Sequence, residues 1–402
     1  MKTRVAVFFG GRSPEHDVSI YTGLNALESL DQQRFSAFPV YISLAGEWLV
    51  GEALRNRGSY LPRGPVYDGL GSVTLDVCPN VDGLGRLLPR RNAGLFSKPK
   101  PLEFDVALLA LHGIFGEDGC LQGLFELANV PYTGMRLPAS CAFMDKAAAK
   151  GFLGSKGIGL LPHAVLERPV SGLIPGADEV ASGMGELRFP VIVKPMHLGS
   201  SIGVARATSI DEVRAALPVI FKLDRQAILE PFVENLVEYN VAVRRVDGKA
   251  RTSAIEKPTK KHDVLDFKDK YGSGSDDVTA VKRAGVMTQQ TLAGTREINP
   301  RLPADFESKL REWAMTCFLS LGGTGAPRID FLSNAATGEL WLNEVNPCPG
   351  WYGFFLWEAA SDPILYPDLL SFLIDEALAC QRASRLPLDP VPQDARMFPG
   401  RT

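Results

Sequence analysis

Residues 328–346 constrain the fold most, because they predict a β-hairpin with carboxylates on opposite strands. Apolar β-forming residues flank a short polar turn, whose Asn and Gly adopt turn conformations that most residues resist. If the hairpin is symmetric, Asp330 lies opposite Glu344, and Arg328 lies opposite Asn346. Strand alternation then places all four side chains on one face of the sheet.

Opposed carboxylates need an explanation. Two of them about 5 Å apart repel by roughly 3 kcal/mol at an effective dielectric of about 20. A divalent cation would remove this cost, and the oxygen atoms of Asp330, Glu344 and Asn346 suit a hard ion such as Mg²⁺, which carboxylates and substrate phosphates usually hold together. An exposed hairpin end with solvated charges is the alternative, and the hairpin alone does not exclude it.

Length and composition limit the function classes. A chain of 402 residues is too long for one ordinary core, so we expect two or three domains. With 45% hydrophobic and 22% charged residues it is typical of a soluble globular protein, and a net charge of −3 gives no electrostatic basis for binding nucleic acid or membrane. We find no signal peptide or membrane span, and we expect a cytoplasmic protein whose six scattered cysteines are reduced.

The amino-terminal part predicts an α/β unit. The apolar run 5–9 is typical of a buried parallel strand, and the helix after it has Ser13 as its expected N-cap and Glu15 in its first turn. A second strand, 104–111, leads into His112 and a glycine-rich loop, at the edge where open α/β sheets bind ligands. The absence of Gly-x-Gly-x-x-Gly argues against a dinucleotide-binding oxidoreductase.

The middle of the chain combines lysines with a glycine-rich loop. Residues 139–156 predict a helix on which Lys146 and Lys150 share a face. The strand that contains Lys194 runs into the Gly/Ser loop 199–203 and then into another strand. Such a loop lets backbone N–H groups approach phosphate closely, with Lys194 adding charge at its base. It is not a Walker P-loop, and an ordinary hairpin turn is the alternative.

Two later segments complete the pattern. The strand 227–233 ends in a proline-restricted crossover, followed by Glu238, that could be a hinge whose backbone pairs with an adenine edge. The polar segment 257–277 contains Lys270 and Tyr271 next to Gly-Ser-Gly-Ser, which is typical of a mobile lid. A disordered loop is the alternative for this segment.

Taken together, these residues resemble the D-alanine:D-alanine ligase family of the ATP-grasp superfamily. Each motif is weak alone, but their joint occurrence in this order is highly specific and covers nearly the whole chain. The motifs are Phe9-Gly-Gly-Arg-Ser-Pro-Glu15-His-Asp-Val-Ser, Leu111-His112-Gly-Ile-Phe-Gly-Glu-Asp-Gly, Met144-Asp-Lys146, Val193-Lys194-Pro with Gly199-Ser200-Ser201-Ile-Gly203, Asp269-Lys270-Tyr271, Arg328-Ile-Asp330 and Asn343-Glu344-Val-Asn346-Pro-Cys-Pro-Gly350.

The resemblance implies a fold of mixed α/β and α+β class, the ATP-grasp fold. Its parts would be a Rossmann-like amino-terminal domain over 1–138, a central domain over 139–237, and a carboxyl-terminal domain over 238–402 with the metal site and the lid. The segment 45–101, rich in Gly, Pro and Arg, is expected to be a surface insertion of short strands and loops.

The resemblance also implies the chemistry. An amino acid carboxylate attacks the γ-phosphate of ATP to give an acyl phosphate, and the amine of a second substrate displaces phosphate to form an amide. The expected cofactors are ATP and two Mg²⁺ ions, with Mn²⁺ as an alternative ion. The expected partners are small amino acid substrates, and family members are commonly homodimers.

The same resemblance implies roles for individual residues. The ions would be held by Asp330, Glu344 and Asn346, and the phosphates would be contacted by Lys146, Lys194, Ser201 and Lys270. Adenine and ribose would lie at Glu230, Val233 and Glu238. The first amino acid's ammonium group would be oriented by Glu15, Ser200 and Tyr271, with His112 in the adjoining substrate loop. The second substrate's carboxylate and the oxyanion would face Arg328 and the Gly350 N–H.

One departure concerns the acceptor. Five residues beyond Gly350, where the family usually has a serine that helps bind the acceptor's carboxylate, this chain has Phe355. The aromatic run Trp351, Tyr352, Phe354 and Phe355 predicts a rebuilt acceptor pocket in which D-alanine is a poor acceptor. Alternatively, these rings pack into the core and a backbone N–H binds the carboxylate unaided.

Two other functions stay open from the sequence. One is a ligase of specialised metabolism, descended from the same family, with a different acceptor. The other is a nucleotide-binding regulator without catalysis, against which the retained carboxylates and lysines argue. The sequence does not give donor chirality or acceptor identity.

Overall fold

The computed structural model describes residues 1–60, 70–78, 82–90, 100–172, 174–199, 201–259, 296–384 and 391–398. Within these residues the strands form three sheets, of seven, four and five strands. The candidate functional residues lie where loops and strand ends of the three sheets meet.

The first sheet is organised around β1 (Thr3–Gly10), which is the apolar run at the amino terminus. It pairs in parallel with β2 (Phe35–Ile42) and β7 (Val106–Leu109), which confirms the buried parallel strand. Helix α1 (His16–Ser29) connects β1 to β2. The helix begins at His16 with Glu15 as its N-cap, two residues later than the predicted cap at Ser13.

The predicted insertion extends this sheet. Its short strands are β3 (Trp48–Val50), β4 (Gly71–Leu75) and β5 (Gly85–Pro89), and β6 (Leu102–Phe104) comes directly after it. They add to the sheet in antiparallel pairs, in the order β6-β5-β4-β3-β2-β1-β7. Helix α2 (Cys120–Leu127) follows β7 after the glycine-rich loop.

The helix predicted over 139–156 is two helices in the structure. Helix α3 (Leu137–Met144) and helix α4 (Lys146–Gly154) are separated by Asp145, whose carboxylate accepts the Ala148 N–H and caps α4. The break changes the direction of the chain at the residue before Lys146. Both Lys146 and Lys150 are buried on α4.

The second sheet is antiparallel and contains the glycine-rich loop. Its strands are β8 (Ala164–Glu167), β9 (Val191–Pro195), β10 (Ala205–Ala207) and β11 (Gln226–Pro231), in the order β10-β9-β11-β8. Helices α5 (Ala177–Met184) and α6 (Ile210–Leu223) bury their apolar residues against it. The chain leaves β9 through the glycine-rich loop and returns as β10.

The third sheet carries the predicted hairpin. Its strands are β12 (Leu236–Val246), β13 (Lys249–Pro258), β14 (Arg296–Ile298), β15 (Arg328–Asn334) and β16 (Leu340–Asn346), in the order β14-β13-β12-β15-β16. Helix α7 (Ala304–Ser320) packs on one face, where Leu310, Ala314 and Phe318 join the strand residues in one core cluster.

The hairpin register is confirmed at its open end. Asp330 pairs with Glu344, and Arg328 pairs with Asn346. The hairpin is nevertheless not symmetric, because the register shifts by one residue after Asp330 and leaves Asn343 as a bulge. A bulge re-aims a side chain, and Asn343 takes part in the site described below.

The carboxyl-terminal helices return to the first sheet. A short 3-10 helix (Gly350–Gly353) leads into α8 (Phe354–Glu358), and α9 (Tyr366–Ser384) follows. Residues of α8 and α9 share a core cluster with residues of β1, α1 and β7. None of the helices in the described part of the chain is long and apolar enough to cross a membrane.

The packing of α1 against β1 gives a test with a matched control. A Cβ at Gly23 would lie 2.4 Å from Phe9 Cγ, whereas a Cβ at Gly151 on α4 has no atom within 4 Å. We expect Gly23→Ala to lower the free energy of unfolding by about 1–3 kcal/mol through overpacking. Gly151→Ala should raise it by about 0.5–1 kcal/mol. Thermal unfolding midpoints measure both, and a more stable Gly23→Ala protein would contradict this packing.

Candidate active site

A large cleft lies between the second and third sheets. It holds about 820 Å³ of empty space, with the open solvent at its mouth included. Its walls combine apolar and charged residues. The residues that line it include Lys146, Lys194, Ser201, Glu230, Val233, Glu238, Asn343 and Glu344.

A buried carboxylate with two lysine partners supports one wall of this cleft. Glu230 Oε1 lies 2.6 Å from Lys150 Nζ, and its Oε2 lies 2.7 Å from Lys194 Nζ. Burial raises the pKa of Glu230, but the two ammonium groups outweigh it and bring the pKa down to about 2. Lys194 also donates to Asn343 Oδ1 at 2.9 Å. The Lys194 ammonium group is therefore held at a defined place on the cleft wall.

Lys146 ties α4 to the segment that enters the glycine-rich loop. Its ammonium group donates to the Leu198 carbonyl at 2.6 Å and to the Met196 carbonyl at 3.3 Å. The same group lies 3.3 Å from Glu344 Oε2. One lysine thus joins α4, the loop after β9, and the hairpin.

His197 makes a second tie at the same loop. Its Nδ1 lies 2.9 Å from Asp224 Oδ1, and its Nε2 lies 3.2 Å from Asp145 Oδ2. Burial lowers the pKa of His197, but the two carboxylates together raise it above its ordinary value. The contribution of the charged imidazole to stability therefore declines as the pH rises through this raised pKa.

The opposed carboxylates of the hairpin each have a cationic partner. Arg328 Nε and Nη2 reach Asp330 Oδ1 and Oδ2 at 2.6 Å each, and Lys146 balances Glu344. The chain itself thus offsets the repulsion from which the sequence predicted a metal ion. In the described ranges, no group of three or more His, Cys, Asp or Glu side chains is placed to hold an ion. Two carboxylates and the Asn346 amide fit an ion whose remaining ligands come from phosphate and water.

A smaller pocket adjoins the cleft and collects residues from distant parts of the chain. Its lining includes Glu15, Lys146, Gly199, Glu344 and Asn346. A Cβ at Gly199 would lie 3.6 Å from Glu15 Oε1, and one at Gly113 would lie 2.8 Å from Glu15 Oε2. Two backbone segments therefore pack closely against the Glu15 carboxylate.

Glu117 connects this pocket to the end of the hairpin. Its carboxylate accepts the Gly113 N–H at 2.5 Å and the Cys348 N–H at 2.8 Å. The surrounding hydrogen bonds orient the Asn346 amide so that its nitrogen donates to Glu117 Oε1 at 3.0 Å. Burial raises the pKa of Glu117 well above its usual range, and the nearby Glu15 carboxylate raises it further.

The aromatic run after Gly350 differs from the predicted pocket. Tyr352 is a core residue whose hydroxyl donates to the Leu109 carbonyl at 2.9 Å, and its assignment to the acceptor pocket stays a prediction. Phe354 and Phe355 pack partly against the same core, and the Arg296 guanidinium lies over the Phe355 ring at 4.5 Å. Trp351 is half-buried. The alternative in which these rings pack into the core describes Tyr352 better.

The remaining predicted residues divide into two groups. Ser201, Val233 and Glu238 line the large cleft, and His112 is buried with both ring nitrogens hydrogen-bonded. Ser200, Lys270 and Tyr271 lie outside the described residues, as does most of the predicted lid.

Two family models match the chain. One, described as D-ala D-ala ligase N-terminus, matches residues 4–135, and the other, described as D-ala D-ala ligase C-terminus, matches residues 152–375. The chain belongs to the D-alanine–D-alanine ligase family. Similar ligases include the D-alanine–D-alanine ligase of Chlorobium chlorochromatii, 32% identical over 94% of this chain and 98% of that protein. The ligase of Heliobacterium modesticaldum is 33% identical over 95% and 96% of the two chains.

Solved structures show the same fold. The D-alanine–D-alanine ligase from Coxiella burnetii has a TM-score of 0.71 at 23% identity and covers 96% of each chain. The VanG D-Ala:D-Ser ligase from Enterococcus faecalis has a TM-score of 0.71 at 24% identity, over 94% of this chain and all of that one. The fold is therefore ATP-grasp.

Family membership settles the class of enzyme. This protein is an ATP-grasp ligase that forms an amide bond between small-molecule substrates. The matches support neither a divergent ligase of specialised metabolism nor a nucleotide-binding regulator.

Sequence reasoning missed three residues of this ligase's site. The sequence indicates only that Lys150 shares a helix face with Lys146, and the Asn343 contact depends on a bulge that strand alternation does not predict. Glu117 lies inside the motif at residues 111–119, but its contact with Cys348 spans 231 residues of chain. The spacing of Lys150 four residues after Lys146 was the one available signal.

The buried triad of Lys150, Glu230 and Lys194 gives the second prediction. Lys150→Met removes one partner of a buried carboxylate, so we expect a loss of about 3–5 kcal/mol in the free energy of unfolding. The exposed Lys156 is the control, and Lys156→Met should change it by less than about 0.5 kcal/mol. Adding Glu230→Gln to Lys150→Met should restore part of the loss. If urea unfolding gave Lys150→Met and Lys156→Met the same stability, the stabilising role of the triad would be refuted.

Proposed function

We propose that this ligase joins two D-alanine molecules, using ATP and Mg²⁺, with ADP, phosphate and D-alanyl-D-alanine as products. The proposal rests on one observation: the large cleft and the smaller pocket share Lys146, Gly199 and Glu344 in their walls. A triphosphate in the cleft would thus end where an amino acid in the pocket begins. The names of the relatives supply D-alanine as the substrate.

The donor is assigned to the smaller pocket. The Glu15 carboxylate faces it and would bind the ammonium group of the first alanine, together with Ser200 and Tyr271. Lys146 and Lys194 would contact the phosphates, because both are buried lysines on the cleft wall. The donor carboxylate oxygen attacks the γ-phosphorus, the bond to ADP breaks, and an acyl phosphate results. Ser201 and Lys270 are assigned to the same phosphates, and Val233 and Glu238 to adenine and ribose.

Glu230 receives a different role from the one the resemblance implied. Both its carboxylate oxygens are engaged by lysines, so we assign it to holding Lys194 in place. Lys194 keeps its charge because Glu230 and Glu344 raise its pKa, against the effect of burial. A fixed, charged lysine needs no reorganisation when phosphate binds.

Asp330, Glu344 and Asn346 are the residues that would hold two Mg²⁺ ions, or Mn²⁺ in their place. When bound, the ions neutralise charge on the triphosphate and polarise the transferred phosphoryl group. Arg328 forks onto Asp330, which keeps the guanidinium beside the ion ligands, and we assign it to the acceptor's carboxylate.

The acceptor amine attacks the acyl carbon, and phosphate leaves as the amide bond forms. The Gly350 N–H is assigned to the oxyanion that develops on the acyl oxygen. A closed lid would exclude water, which otherwise hydrolyses the acyl phosphate. His112 belongs to the substrate loop.

The larger organisation is part of the same proposal. We divide the chain into domains over 1–138, 139–237 and 238–402, although α8 and α9 share a core with the first sheet. We also propose that the ligase works as a homodimer in the cytoplasm.

The ion assignment predicts the effect of removing charge. Asp330→Asn and Glu344→Gln should each lower kcat by roughly 100-fold or more, because each removes charge at the developing phosphoryl transition state. Far-UV circular dichroism should be unchanged. Glu339→Gln is the control, since Glu339 is an exposed carboxylate on the same hairpin. Normal turnover of Asp330→Asn or Glu344→Gln at saturating Mg²⁺ would refute the assignment of these residues as ion ligands.

The acceptor assignment predicts the effect of Phe355. A serine there could donate to the acceptor's carboxylate, a bond worth about 1.5–3 kcal/mol, so Phe355→Ser should lower the KM for the second D-alanine about tenfold. Phe355→Leu is the control, because it opens space without adding a donor. The donor KM should not change in either variant.

Product masses complete this test. The wild type should form D-alanyl-D-alanine from D-alanine alone. If the wild type released ADP only when a different amine was supplied, D-alanine would be refuted as the acceptor. The expectation of a rebuilt acceptor pocket would then be supported.

A further inference from the structure

The turn 347–353 after the hairpin holds an unfavourable backbone conformation. Trp351 and Tyr352 have φ angles of 49° and 55°, so two consecutive residues with side chains adopt the left-handed region. Each such residue costs about 1–2 kcal/mol. The turn therefore depends on contacts from its surroundings, and Gly350, the proposed oxyanion donor, lies within it.

The contacts come from the amino-terminal sheet and its loops. Glu117 accepts the Cys348 N–H, His112 Nδ1 lies 2.8 Å from the Cys348 carbonyl oxygen, and Tyr352 donates to Leu109. On the other side of Gly350, the Trp351 N–H donates to Thr22 Oγ1 at 3.3 Å. Gly350 is thus bracketed by bonds at Cys348 and Trp351.

Thr22 and His112 form one hydrogen-bonded unit. His112 Nε2 lies 2.8 Å from Thr22 Oγ1, and Thr22 is fully buried on α1. The Cys348 carbonyl only accepts, so His112 Nδ1 carries the proton. Burial favours the neutral ring and lowers the pKa of His112 to about 4. Nε2 is then an acceptor, and the Thr22 hydroxyl donates to it.

The Thr22 hydroxyl makes two hydrogen bonds in this arrangement, one as donor and one as acceptor. Its hydroxyl hydrogen goes to His112 Nε2, and its oxygen accepts the Trp351 N–H. The Val18 carbonyl, 3.1 Å away, is a competing acceptor for the same hydrogen. When His112 is neutral with its proton on Nδ1, its Nε2 must accept a hydrogen bond, and Thr22 is its only donor among the described residues. The Thr22 hydroxyl therefore donates to His112 Nε2 and not to the Val18 carbonyl.

We propose that Thr22 is a positioning residue for amide formation: its hydroxyl donates to His112 Nε2, accepts the Trp351 N–H, and so anchors the turn that presents the Gly350 N–H. This inference rests on the oxyanion role proposed above for Gly350. A displaced Gly350 N–H leaves the first step intact, because ATP and donor contact other residues. It slows attack on the acyl phosphate, which water then consumes.

Thr22→Val is the variant that tests this inference, since it keeps the shape and removes the hydroxyl. Loss of an oxyanion donor costs about 100-fold to 1,000-fold in kcat, and a displaced donor should cost less, so we expect dipeptide turnover to fall roughly tenfold to 100-fold. The KM for ATP should stay within about twofold. The ratio of ADP released to dipeptide formed should rise above one, whereas a merely less stable protein would keep that ratio.

Two further variants complete the comparison. Thr22→Ser keeps the hydroxyl and should restore most of the turnover and the coupling ratio. Ser371→Ala is the matched control, because Ser371 is also a buried helix hydroxyl but donates only to the Pro367 carbonyl within its own helix. A coupling ratio of one in Thr22→Val, or the same loss in Ser371→Ala, would overturn the inference.

A measurement on the wild type does not depend on how Thr22→Val folds. Nitrogen-15 NMR of the histidine side chains at pH 7 should show His112 neutral, protonated on Nδ1 and unprotonated on Nε2. A proton on Nε2 would refute the donor role of Thr22. If the wild type forms no dipeptide, the proposed function fails; if it does and Thr22→Val matches it, this inference alone fails.

Discussion

The site depends on buried charges that must each find a partner. Lys146 and Lys150 come from α4, Lys194 from β9, Glu230 from β11, and Glu344 from β16. An isolated charge in such a place costs several kcal/mol, so helix α4 is held where it can satisfy carboxylates of two different sheets. Two of these lysines, Lys146 and Lys194, also line the cleft in which the triphosphate is proposed to bind. Structural support and phosphate binding are therefore carried by one set of side chains.

Backbone strain concentrates around the same site. Eight described residues other than glycine have positive φ, and four of them are Asn or Asp, which tolerate that region. The other four are Phe115, Ser201, Trp351 and Tyr352, of which Ser201 lines the large cleft and Trp351 and Tyr352 lie in the 3-10 helix beginning at Gly350. Such conformations persist only where surrounding contacts determine them, as the bonds to the turn 347–353 illustrate. These conformations cost free energy, and in return they set the positions of the backbone N–H groups in these segments.

Much of this arrangement could be predicted from local pattern. The apolar run of β1, the opposed Asp330 and Glu344, and the glycine-rich loop all follow from rules that relate neighbours in sequence. The prediction failed where a local irregularity intervened. Asp145 divides one predicted helix into two, and the bulge at Asn343 shifts the hairpin register near its turn. Neither change alters composition or periodicity enough to be visible in the sequence.

The sequence by itself determined the class of enzyme, because its motifs occur together in the order that the D-alanine–D-alanine ligase family shows. It also determined which residues could carry charge at the site. Only the tertiary structure decided how those charges are paired: Arg328 with Asp330, Lys146 with Glu344, and Glu230 between two lysines. It also decided that Tyr352 belongs to the core and that Thr22 supports a turn 329 residues away. The reason is physical: pairing and burial depend on which elements meet in space, and periodicity reports only on residues that are close in the chain.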